Sequence, residues 1–77
     1  MTHTLFFVGR DSTRQIAVID AADMSPSEVL DEAFYHINEF LKSRQYTSHY
    51  TRYWTEGSVM TFDFGSHTEF FRLDPAP

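Results

Sequence analysis

Four residues toward the end of this 77-residue chain carry the groups that acid-base chemistry uses: His49, Asp63, His67 and Glu69. An imidazole beside a carboxylate can take and return a proton near neutral pH, because the carboxylate orients the ring and stabilises its charged form. A second set is purely acidic. Glu28, Asp31, Glu32 and Glu39 recur at mostly three- and four-residue intervals around Tyr35, a spacing that lines side chains along one side of a helix. Such a ridge suits docking on a basic protein surface, although a solvated helix face is the plainer account of it.

What accompanies these residues limits the chemistry. The chain has no cysteine, which removes disulfides and thiolate metal sites together. Its four histidines, at 3, 36, 49 and 67, show no HxxxH or HxxEH pairing, so neither a metal nor a cofactor is expected. There is no nucleophile elbow and no phosphate-cradling loop, and a domain this small leaves little room for a pocket of about 300 Å³. Asp63-Phe64-Gly65 matches the metal-holding tripeptide of protein kinases, but no glycine-rich loop or HRD segment accompanies it. LFFVG at 5 to 9 is similar to the first signature strand of an RNA recognition motif, a family that needs two helices and a basic second signature, and GSVMTFDFG has no basic residue. Eleven acidic against six basic residues give a net charge of -5, which opposes direct nucleic-acid binding and favours basic partners. No run reaches eighteen apolar residues and MTHTLFFVGR is not a leader, so no membrane association and a cytoplasmic location are expected.

The elements that must position these groups follow from punctuation and periodicity. LFFV at 5 to 8 and IAVI at 16 to 19 are β-branched and aromatic runs separated by GRDSTRQ, the pattern of an antiparallel hairpin. Ser25, Pro26 and Glu28 form a capping box with proline at the first helical position. From Pro26 to about Arg44, Val29, Leu30, Ala33, Phe34, Ile37, Phe40 and Leu41 fill an arc of about 140°. Further strands are expected over 46 to 54, 58 to 64 and 68 to 73, with DPAP at 74 to 77 as a proline-containing tail. The expected fold is thus a small single α+β domain spanning 1 to 77, in ββαβββ order, with one amphipathic helix packed on one face of an antiparallel sheet.

Register decides which aromatic residues of YTSHYTRYWTEG are core. A two-residue Glu56-Gly57 turn would require Glu in the left-handed region, which it occupies poorly. A three-residue turn, Thr55 to Gly57, needs positive φ only at the glycine. That register sets Trp54 against Ser58, Arg52 against Met60, Tyr50 against Phe62 and His49 against Asp63. It sends Tyr46, Tyr50 and Trp54 toward the helix and Tyr53 to the opposite face. For the next hairpin, a Ser66-His67 turn pairs Phe62 with Phe71 and Met60 with Leu73, and avoids setting Asp63 against Glu69. Val59 and Phe70 then face away from the helix. Because LFFV and IAVI are apolar on both sides, residues of the first hairpin must face away too, and one helix cannot cover both faces. The association face is expected to include Tyr53, Val59 and Phe70, and a homodimer is expected to cover it.

These readings favour a non-catalytic protein-binding module whose acidic helix face, Glu28, Asp31, Glu32, Tyr35 and Glu39, meets a partner with a basic surface. In size, acidity and lack of motifs the chain resembles the small inhibitors of nucleic-acid-handling complexes made by phages, anti-CRISPR and anti-restriction proteins among them. A small enzyme or accessory subunit with its site between two copies of the chain is the alternative.

Overall fold

A computed structural model describes residues 2–46, 51–66 and 68–75. The strands are β1 (Thr2–Val8), β2 (Thr13–Asp20), β3 (Arg52–Glu56), β4 (Val59–Asp63) and β5 (Phe70–Pro75), and the single helix is α1 (Pro26–Ser43). The expected ββαβββ order is therefore present. The strands form one antiparallel sheet in the order β2-β1-β5-β4-β3, so the first and last strands lie side by side in its middle. The accessible surface of 5213 Å² and radius of gyration of 11.9 Å lie close to the roughly 4,900 Å² and about 11.5 Å that chain length implies.

The helix starts where its cap chemistry dictates. The Ser25 hydroxyl accepts from the Glu28 backbone N–H at 3.3 Å, and the Glu28 carboxylate accepts from the Ser25 N–H at 2.9 Å. Val29, Ala33, Ile37 and Leu41, four residues apart, are buried against the sheet. They meet Leu5, Phe7, Ile19, Phe62, Phe71 and Leu73 in one core. At the far end Gln45 adopts φ +62°, its N–H reaching the Lys42 carbonyl at 3.0 Å, while the Tyr46 N–H reaches the Leu41 carbonyl at 2.9 Å. This double closure satisfies carbonyls that the helix end would leave open. Tyr46 is therefore part of a helix terminus and not the first residue of a strand. The strand expected over 46 to 54 is described from Arg52 to Glu56, two residues past its expected end, and His49 and Tyr50 lie outside the described residues.

The first hairpin settles its own two-sided ambiguity. Leu5 and Phe7 face the helix, and Phe6 and Val8 face away. Leu5 pairs with Ala17, but Phe6 pairs with Gln15, so Ile16 is an extra residue, a bulge in β2. Beyond it Arg14 comes to the helix side, 6.0 Å over the Phe40 ring. Val18, 55% exposed, faces away.

The second hairpin overturns the expected register. Its turn consists of Gly57 and Ser58, and the pairs are Arg52 with Asp63, Tyr53 with Phe62 and Trp54 with Thr61. Gly57 has φ +64° while Ser58 stays in the ordinary negative-φ range, the requirement of a type II′ turn with glycine at its first central position. Neither of the turns weighed from the sequence put glycine there. Tyr53 consequently faces the helix and Trp54 the open side, the reverse of expectation. The β4 to β5 register is as expected, with Met60 against Leu73, Thr61 against Arg72 and Phe62 against Phe71. The strand continues through Asp74 and Pro75, which pair with Thr4 and His3, so pairing does not stop at residue 74. Proline is tolerated there because its missing N–H falls at a strand end.

Candidate protein-binding surfaces

The outward side of α1 is the first candidate surface. Glu28, Asp31, Glu32, Tyr35 and Glu39 are all exposed, Tyr35 by 58%. They share one ridge because the 100° helical step that buries Val29, Ala33, Ile37 and Leu41 turns these positions to solvent. Glu28 is held by the cap: hydrogen bonds from the Ser25 backbone and then its hydroxyl keep its carboxyl below the usual carboxylate range. Glu32 has His36 Nε2 at 3.7 Å one turn on.

Positive charge, by contrast, is tied to rings. Four of the six basic side chains lie over aromatic faces. Arg44 covers Phe7 and Phe40 at 5.1 and 4.9 Å, closing the core beside the helix end. Arg72 lies 5.0 Å from Phe6, and Arg52 lies 5.5 Å from Trp54. Guanidinium over a π face is favourable, and it leaves the acidic ridge with Lys42 in the last helical turn as its basic neighbour.

The helix-free side of the sheet is the second candidate. Register puts Phe6, Val8, Val18, Trp54, Val59 and Phe70 on it. Of the three residues expected there, Val59 and Phe70 are present and Tyr53 is not, since its ring meets Phe34 of the helix at 5.7 Å. Charges are interleaved with the apolar residues as pairs. Arg52 Nε donates to Asp63 at 3.1 Å and Arg72 Nε donates to Asp74 at 2.8 Å, while Trp54 Nε1 donates to Glu56 at 3.0 Å.

Room for small molecules exceeds expectation. A cleft of about 350 Å³ opens between the start of α1 and the β3–β4 hairpin, walled by Met24, Val29, Leu30, Met60 and Leu73 with His3 at one side. Another of about 330 Å³ lies on the open face between Trp54, Phe70, Glu56 and Glu69. Of the acid-base set, Asp63 is engaged through both oxygens, one by Arg52 and the other by the Gly65 N–H at 2.9 Å. Its expected opposite His49, and His67, lie outside the described residues. Among the described residues no group of histidines and carboxylates is arranged to hold a metal ion, and no helix is long and apolar enough to cross a membrane.

No protein-family model, no curated protein and no solved structure matches this chain.

Proposed function

We propose that this chain is a non-catalytic protein-binding module that sets the acidic ridge of α1 against a basic surface of a protein partner. The supporting observation is the separation of charge. Glu28, Asp31, Glu32 and Glu39 stand exposed on one helix, while Arg14, Arg44, Arg52 and Arg72 are held over rings elsewhere. A one-signed surface steers association with an oppositely charged partner and disfavours self-contact. Glu28 to Glu39 span roughly 16 Å of helix, enough to cover part of a groove that binds a nucleic-acid backbone. The specific form of the reading is a small acidic inhibitor of a nucleic-acid-handling complex, of the kind phages make. Self-association belongs to the sheet, which leaves the ridge free.

Affinity capture with wild type and with the triple variant D31N/E32Q/E39Q tests this. Glu28 is left intact because its carboxylate closes the helix cap. A basic protein retained by wild type, released by added salt and lost with the triple variant supports the reading. Equal retention by both reduces the ridge to a solvated face.

A further inference from the structure

The two edges of the sheet are unlike. β2, at one edge, carries the Ile16 bulge, a feature that discourages pairing with another strand. β3, at the other, runs in unbroken register with β4, contains no proline and is exposed at all five residues. In a hairpin closed by two residues, the residues flanking the turn form a hydrogen-bonded pair and alternate residues follow suit. Arg52, Trp54 and Glu56 therefore bond toward β4, and Tyr53 and Thr55 point their N–H and C=O groups outward. The described residues place no further strand against them.

The strand reads Arg-Tyr-Trp-Thr-Glu, with opposite charges at its two ends. An antiparallel copy can meet the outward groups only in registers that match Tyr53 or Thr55 with one of the same two positions. One of these pairs all five residues: Arg52 opposite Glu56 of the second copy, Tyr53 opposite its Thr55, and Trp54 opposite its Trp54. Both charges then face their opposites twice over, and Tyr53 and Thr55 form two hydrogen-bonded pairs around the two-fold axis. Resting on the reading that the sheet carries self-association, we infer that two copies of this chain join β3 to β3 about Trp54 into one ten-stranded sheet. Paired residues of antiparallel strands point to the same face, so both helices lie on one side. Because α1 packs most closely on β2 at the far edge and reaches β3 through the Phe34–Tyr53 contact, the arrangement leaves both acidic ridges displayed on the same side.

Analytical ultracentrifugation of the full chain tests the inference, with circular dichroism of the single tryptophan as a second readout, since a central Trp54 pair couples the two indoles. We expect a wild-type dimer. R52E or E56R alone places like charges opposite one another and weakens association on the order of tenfold. An equimolar mixture of the two variants restores it, because each chain then offers one sign. Misfolding of either variant cannot produce that rescue, which covers the loss of the Arg52–Asp63 pair in R52E. T55P removes an outward N–H and should give a monomer with unchanged far-ultraviolet spectrum. A monomeric wild type overturns the inference, as does a mixture that fails to recover. A dimer that survives T55P but is lost in V59S/F70S would place association on the open face instead. Each of these outcomes leaves the ridge to be judged separately by affinity capture.

Discussion

Tyr53 stands directly across the hairpin from Phe62, and its ring lies 6.0 Å from that of Phe62 and 5.7 Å from that of Phe34 on the helix. With Phe34 edge-on to Phe62 at 5.3 Å, the three rings tie an edge strand to the core. Trp54, its neighbour, has no such tie and projects to the other side. We expect Y53A to cost about 1–2 kcal/mol, since aromatic pairs add roughly 0.5–1.5 kcal/mol beyond area burial, and W54A distinctly less. Urea unfolding of the two variants checks this. A larger loss for W54A would contradict the register.

Gly57 adopts φ +64° in open space, with no atom within 4 Å of where a Cβ would stand. Only backbone strain then opposes a side chain there. G57A should destabilise by about 1–2 kcal/mol, and G57N by less, since asparagine enters the left-handed region more readily. Thermal unfolding of the two variants separates strain from steric clash, because a clash would penalise asparagine more.

Gln45 occupies the same backbone region at φ +62°. Glycine is the usual residue at this position of a helix-closing motif, so Q45G should raise stability by about 0.5–1 kcal/mol, the relief of strain being partly offset by the greater freedom of glycine in the unfolded chain. The midpoint of chemical denaturation is the measurement.

The helix cap carries a pH dependence of known sign. Hydrogen bonds from Ser25 lower the Glu28 carboxyl pKa on folding. A group depressed in the folded state adds stability that is complete above its unfolded pKa and is lost as pH falls through the folded one, on the acid side of the ordinary glutamate value. S25A should cost about 1 kcal/mol at neutral pH, and it should flatten this acid-side slope. Unfolding curves between pH 3 and 7 (about the range of carboxylate titration) show whether the slope depends on Ser25.

Legibility followed the locality of the interaction. The cap from Ser25 to Glu28 and the helical stripe of Val29, Ala33, Ile37 and Leu41 are set by residues within one or two turns, and both were readable from the sequence. The β4 to β5 register was readable as well, because Asp63 against Glu69 is unfavourable and the alternative pairs Phe62 with Phe71. What escaped was the turn. Gly-Ser is itself a hairpin signal, and a two-residue turn in place of the three-residue Thr55–Gly57 turn changes the parity of the pairing and sends Tyr53 under the helix, so the length of one turn decides which of Tyr53 and Trp54 is turned away from it. The bulge at Ile16 and the pairing of β1 with β5 had no comparable local marker. Of the candidate surfaces, the acidic ridge was legible from spacing alone. The Arg52–Asp63 pair of the open face was not, because it depends on the register of β3 against β4.

The pairing of β1 with β5 has a consequence for how the chain acquires its structure. Leu5 and Leu73 face each other across the middle of the sheet although they come from nearly opposite ends of the sequence. During synthesis the β1–β2 hairpin and α1 can form early from local contacts, but the sheet stays in two halves until β5 (Phe70–Pro75) is made. Contacts of such separation slow folding, because a long loop must close before they form. Loss of β5 (Phe70–Pro75) would remove the seam between the halves, so its deletion should abolish cooperative folding and not merely fray an edge.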